Sequence, residues 1–286
     1  MEAHLDRCDD LSERQFVLAV KRLATSLSYG TDASPHFGSG IEYIQSRLYQ
    51  PGDPVKSIDW RLTGRTGKVY VKEYEAPRQT PVYLLLDTSA SMCVGSRRMS
   101  KYAIGVQLAG GLALAAISRI SPAGIIGCGS RALGVQPTLS RVQVFLWLHS
   151  LRRYRFDEQT TVGKRLQELA SMLRLRSLVI VISDMHDPEA IPALKRIAQE
   201  HDCVVLQTRD PAEDGRLRAG FFRGEEAESG RAFTGKGKTQ WFEDDPIGRD
   251  LKRAGVDHLV LRIDKPFLAK LKGFLLRRDS LGKGTR

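Results

Sequence analysis

Val82-Tyr83-Leu84-Leu85-Leu86 runs straight into Asp87-Thr88-Ser89-Ala90-Ser91, and no other stretch restricts the fold as tightly. An apolar run without alternation suits a strand buried on both faces, as in a parallel sheet covered by helices. The polar residues then follow at the strand's C-terminal end, where open α/β sheets bind ligands. One carboxylate and two hydroxyls at alternate positions, Asp87, Ser89 and Ser91, can converge on a single hard cation. Oxygen donors of this kind suit Mg2+, Mn2+ or Ca2+ rather than zinc.

Two further segments fit the same site. Leu178-Val179-Ile180-Val181-Ile182 is a second buried-strand run and ends in Ser183-Asp184-Met185, so Asp184 stands at a strand C-terminus as Asp87 does. Thr160-Thr161 lies in a polar segment just before a helical pattern (Leu166, Leu169, Ala170, Leu173) and offers a third hydroxyl. Register against Leu166 favours Thr160, with Thr161 as the alternate. The candidate metal ligands are therefore Asp87, Ser89, Ser91, Thr160 and Asp184. A strand order of the 3-2-1-4-5-6 kind would put the two aspartates on opposite lips of one crevice.

From Pro81 onward strands and helices alternate. Strands fall at 82–86, 123–128, 178–182, 203–208 and 258–263, and helices at 99–120, 141–151, 162–173, 188–200, 245–254 and 266–276. A short partner strand is expected near 132–135 and a hairpin within 210–237. This predicts an α/β fold with a doubly wound, mostly parallel sheet over residues 81–286. Residues 1–80 read as a small α+β extension: a helix over 11–27 capped by Ser12, a Gly/Ser/Pro-rich loop over 29–40, strands at 41–49 and 67–75, and a helical turn around Trp60. Its own core would be slight, so Asp59, Trp60 and Arg61 are expected to dock it onto the main domain, with Trp60 as a large apolar anchor, or else to present a surface to a partner.

Charge narrows the classes of partner. The formal net charge is +11, yet the first 80 residues are balanced, so the whole excess lies beyond them. Residues 265–286 carry Lys265, Lys270, Lys272, Arg277, Arg278, Lys283 and Arg286 against Asp279 alone. Such a tail can hold an acidic partner, nucleic acid or anionic lipid, but no aromatic interleaving beyond Phe267 and Phe274 marks a base-stacking surface. Four scattered cysteines without a C-x-x-C pair point to a reducing compartment, the cytoplasm. The N-terminus is acidic and does not read as a signal peptide. The most membrane-like run, 102–117, is shorter than the ~20 residues a span needs and reads as a buried helix.

Longer motifs flank the candidate site: Tyr49-Gln50-Pro51-Gly52-Asp53, Ile58-Asp59-Trp60-Arg61, Arg65-Thr66-Gly67, Val71-Lys72-Glu73-Tyr74-Glu75, and later Arg209-Asp210-Pro211-Ala212-Glu213. With the Asp87 and Asp184 segments they resemble a prokaryotic von Willebrand factor A-related family, domain of unknown function fifty-eight, from about Gly40 to about Gly230. The ligand set resembles the metal-ion-dependent adhesion site (MIDAS) of such domains. Two departures are Gly64, where the family usually has Ala, and Thr160-Thr161-Val162, where it tends to have Thr-Asp-Leu. The resemblance implies a metal-dependent protein-interaction module. It further implies an adaptor or assembly partner of a MoxR-type AAA+ ATPase that takes an acidic partner residue at the metal. One rival is a metal-dependent hydrolase or phosphatase using Asp87, although Ser89 stands where haloacid dehalogenase-type phosphatases place a second Asp as acid and base. Another is a basic nucleic-acid-binding protein, which rests on charge alone. Gly237-Lys238-Thr239 has a P-loop ending but Ala232 at the required first glycine, which excludes that motif.

Overall fold

The structure is a computed structural model that describes residues 2–4, 13–28, 42–75, 80–93, 95–96, 99–131, 134, 136–214, 221–225, 232–236 and 246–280. In chain order its first elements are β1 (Glu2–His4), α1 (Glu13–Ser28), β2 (Glu42–Leu48), α2 (Trp60–Thr66), β3 (Tyr70–Glu75), β4 (Val82–Leu86), α3 (Ala90–Cys93), α4 (Lys101–Ser118) and β5 (Ala123–Gly127). Then follow α5 (Arg141–Leu151), β6 (Arg153–Arg155), α6 (Val162–Met172), β7 (Leu178–Ser183), α7 (Ala190–Ile197), β8 (Asp202–Arg209), β9 (Phe221–Glu225), β10 (Ala232–Lys236), α8 (Pro246–Arg253), β11 (Asp257–Arg262) and α9 (Leu268–Ser280). The Ser12 cap, the 29–40 loop, the Gly237-Lys238-Thr239 motif and the last six residues of the basic tail lie outside the described residues. So does most of the expected strand at 132–135, of which Gly134 makes a single bridge to Ile126.

Five strands form the central sheet in the order β11-β8-β7-β4-β5, and every neighbouring pair is parallel. Counted by first appearance this is 2-1-3-4-5, the other common doubly wound order, not 3-2-1-4-5-6. The direction of winding reverses between β4 and β7, so these two strands are direct neighbours, with Leu86 opposite Ile182. Their C-terminal ends, and with them Asp87 and Asp184, open at the switch point.

Alternate strand residues point to opposite faces, and the core divides accordingly. Leu84, Leu86, Ile180 and Ile182 join one apolar cluster with α1, α4, α5 and α9. Leu85, Val179 and Val181 join a second with α6, α7 and α8. This is why the runs show no polar alternation: neither face meets water. Helix α4, the one described helix long and apolar enough to cross a membrane, lies buried within the first cluster.

Small residues set how closely the helices approach. A Cβ built at Gly105 would stand 2.8 Å from a Leu86 methyl, and one at Gly111 would stand 2.5 Å from Leu23 of α1. Helix α1 therefore packs on α4, and Met1–Gly30 clusters with Thr80–Arg286 as one compact unit, while Thr31–Gln79 forms the other. At Gly163, in the first turn of α6, a Cβ would meet the backbone C and O of Glu189 at 2.7 and 2.9 Å. Backbone cannot rotate aside as a side chain can. Gly163→Ala should therefore lower stability by about 1–3 kcal/mol in a urea melt.

In the smaller unit β2 and β3 pair antiparallel with an irregularity between Tyr43 and Gln45. Asp59 caps α2 by accepting from Leu62 N, and Gly67 ends that helix in the left-handed conformation at φ 70°. Arg47 grips Asp53 through two 2.7 Å bonds, while Gln50 N donates to the same carboxylate at 2.8 Å. Trp60 is the first residue of α2 and is 68% exposed.

Candidate metal centre

Asp87 follows β4 directly and is fully buried. Its backbone N–H still continues the sheet by donating to Ile182 O at 2.9 Å. Its carboxylate turns into the switch point, where Oδ1 accepts from Ser89 N at 3.0 Å. Oδ2 accepts from Ser183 Oγ at 2.7 Å and from Thr160 Oγ1 at 3.2 Å. The hydroxyls of Ser89 and Ser91 lie 3.0 Å apart. Short helix α3 begins right after Ser89, which fixes both hydroxyls on one tight turn. Thr161 points elsewhere and donates its hydroxyl to Gly129 O at 3.2 Å. The structure thus brings Thr160, not Thr161, to Asp87.

Asp184 follows β7 and is 2% exposed. Its Oδ2 accepts from the Lys101 ammonium at 2.8 Å, and His186 Nδ1 stands 3.4 Å from the same oxygen. Its Oδ1 is buried with no hydrogen-bond partner, as is the Thr88 hydroxyl. Behind it, Asp184 O accepts from Gln207 Nε2 at 3.1 Å, and Gln207 Oε1 meets His258 Nε2 at 2.9 Å. The strand end is therefore held rigidly on the side away from the site.

The two carboxylates feel one another. Burial, and then the negative charge of Asp184, push the Asp87 carboxyl up to about 7 against the bonds from Ser183 and Ser89. For Asp184 burial acts in the same direction, but the Lys101 ammonium and then His186 outweigh it and hold the group below its usual range. Lys101 remains a cation: burial pulls its pKa down, yet Asp184 and Glu213 carry it above the usual value.

Several supporting residues escaped the sequence reading. Ser183 was visible beside Asp184 but read only as a strand end. Lys101 is the single charge in the 18 residues of α4, a signal that could have been noticed. Glu158, two residues before Thr160, is 1% exposed and ties three loops together. Its carboxylate accepts from Arg131 N at 3.0 Å and Arg131 Nε at 2.9 Å, and its backbone O accepts from Ala90 N at 2.7 Å. Gly129 leaves room for it, since a Cβ there would stand 2.2 Å from Glu158 Oε1.

The chain matches, over residues 45–242, the family described as protein of unknown function DUF58. The chain belongs to the DUF58 family. Uncharacterized proteins of Mycobacterium bovis and Mycobacterium tuberculosis are each 26% identical to this DUF58 chain over 294 residues, covering 93% of it and 88% of the relative. Asp87, Ser89, Ser91, Thr160 and Asp184 all fall inside the family match, as do Lys101, Arg131 and Glu158. Helices α1 and α9, which complete one face of this DUF58 protein's core, fall outside it.

The donors at the switch point suit a hard divalent ion. They are two carboxylates and three hydroxyls, one carboxylate oxygen has no partner, and the other carboxylate resists ionisation in the absence of a nearby cation. A second group, Asp184, His186 and Glu213, has ligand atoms that lie within 4.8 Å of one another. Lys101 donates to two of those three, Asp184 and Glu213.

Proposed function

We propose that this DUF58 protein is a metal-dependent protein-interaction module. Asp87, Ser89, Ser91, Thr160 and Asp184 would hold Mg2+, or Mn2+ or Ca2+ in its place, in the manner of the MIDAS of von Willebrand factor A-like domains. One observation carries the reading: two buried aspartates repel across a switch point lined by hydroxyls, and Asp184 Oδ1 is buried there without a partner.

When bound, the ion supplies positive charge and a coordination position that an outside oxygen can fill. Asp87 and Asp184 bring two negative charges, and the single positive charge of Lys101 is shared between Asp184 and Glu213. Neutral hydroxyls from Ser89, Ser91 and Thr160 add none. With Glu213 counted, a loaded centre of this composition is near neutral, and the ion's open position would take an Asp or Glu of a partner through a charge-assisted contact. Ser89, two residues after Asp87, cannot serve as an acid and base, which favours binding over turnover. The partner we propose is a MoxR-type AAA+ ATPase in the cytoplasm, with this protein as its adaptor or assembly partner.

Calorimetry with Mg2+ tests the centre. Wild type should bind, Thr160→Val should bind roughly tenfold or more weakly, the scale of one lost oxygen contact, and Thr161→Val should match wild type. Equal heats for wild type and Thr160→Val would overturn the ligand set. The partner is tested by retaining a purified MoxR-type ATPase on the immobilised protein. Retention should vanish with chelator, and retention that ignores chelator would overturn metal-dependent binding.

A further inference from the structure

We propose that the Lys101 ammonium is a tethered cation standing in a second metal position, formed by Asp184, His186 and Glu213, so that the centre takes one divalent ion where its ligands could take two. The proposal rests on the preceding reading only for the first ion.

The three ligand atoms lie within 4.8 Å of one another, a few tenths of an ångström more than the about 4.4 Å that separates opposite ligands held at about 2.2 Å, so a small inward movement of the partly exposed Glu213 side chain brings all three onto one ion. A mixed oxygen and nitrogen set suits Mn2+ or Zn2+. Lys101 is 2% exposed, and its ammonium donates to both carboxylates of this set, Asp184 and Glu213. A buried ammonium held by two carboxylates marks a position that selects positive charge. Asp184 links this position to the Asp87 centre, with Oδ2 turned to Lys101 and Oδ1 buried without a partner. Adjacent ions in two-metal sites stand about 3.5–4 Å apart, a spacing that a shared carboxylate can span.

Lys101 differs from an ion in two ways that matter here. It is fixed to the first turn of α4 just after the Ser100 cap, so it cannot exchange with solvent ions. It is also a donor only, with one charge and no open position for an outside ligand. The second position is thereby filled without becoming reactive, and Glu213, partly exposed on the turn after β8, pairs with the ammonium there. Lys101 is a positioning residue that sets the number of ions.

Mn2+ binding to the full chain, counted by calorimetry and by electron paramagnetic resonance, tests this. Wild type should bind one ion, Lys101→Ala and Lys101→Ser should each bind two, and Lys101→Ala with Glu213→Gln should return to one. A purely structural lysine would lower thermal stability in these variants and leave the count at one, which overturns the proposal while the Asp87 centre stands. No ion in wild type and one in Lys101→Ala would support the second position and sink the first. No ion in either removes both. Variants that fold with Mn2+ but not without it support the proposal when they hold two ions. Variants that fold under neither condition show a structural role and overturn it.

Discussion

Asp87→Asn should raise the stability of the ion-free protein and abolish its response to Mg2+. The carboxyl of Asp87 is pushed up to about 7 from an ordinary 3.8, by burial first and by Asp184 second. A folded-state pKa above the unfolded value means that the folded chain holds the proton more tightly. Its contribution to stability is then fully present below about pH 4 and is lost as pH rises through about 7. At pH 8 the ion-free wild type bears the whole cost of a buried charge beside a second one, on the order of 2–4 kcal/mol at 1.36 kcal/mol per unit. Asparagine removes the charge and keeps the shape. Its oxygen can still accept from Ser89 N, and the hydroxyls of Thr160 and Ser183 can turn to accept from its amide, since a hydroxyl both donates and accepts.

Urea melts with chelator at pH 5 and pH 8 make the comparison. Wild type should lose stability between the two, and Asp87→Asn should lose much less and exceed wild type at pH 8. With Mg2+ at a hundred times its dissociation constant, wild type should gain about 2.7 kcal/mol and the variant nothing. A variant less stable than wild type at pH 8 that still responds to Mg2+ would show that Asp87 serves the fold and not an ion.

The strands and their polar ends were readable because burial on both faces leaves an unmistakable pattern. Val82–Leu86 is a bulky run that leads straight into Asp87, and the apolar run over 178–182 leads into Ser183 and Asp184. Helix α5 matched its expected bounds, and Ser140 caps it by accepting from Gln143 N. The strand order was not readable. Periodicity says which residues are buried but not which strand lies beside which, and here 2-1-3-4-5 replaced the order assumed. Strand β6 escaped notice because its partner β1 is three residues at the far end of the chain, and pairing at such separation leaves no local trace. The placement of α1 with the sheet depends on Gly110 and Gly111, whose role appears only when Leu23 and Leu148 are seen against them. Beyond the lone charge of α4, nothing in the sequence singles out Lys101, Arg131 and Glu158. Charge is read from sequence as exposure, and only packing shows that these three are paired in the interior.

Arg131→Met should be among the most damaging single changes in the molecule, although Arg131 contacts none of the five proposed ligands in the bonds that define its position. It donates through Nε and through its backbone N to Glu158, and through Nη1 to Arg153 O at 2.6 Å. The Glu158 side chain is fully shielded from water, while that of Arg131 is 18% exposed. Methionine retains the volume and removes the charge. Glu158 is then left as a buried carboxylate with one backbone N–H, a situation that costs about 3–5 kcal/mol. Replacing both partners, Arg131→Met with Glu158→Met, removes the stranded charge and should recover most of the loss, because buried ion pairs exchanged for apolar residues are often neutral. The cycle should therefore show strong coupling in urea melts. It should also show in ion binding, since Glu158 holds the backbone of Ala90 on one side and lies two residues from Thr160 on the other. Arg131→Met should weaken Mg2+ binding about 10–100-fold, the range for residues that support a metal ligand without touching the ion. A loss below about 1 kcal/mol in the single variant, the range of an exposed pair, would mean that water reaches Glu158 and that the three loops are not held by this charge.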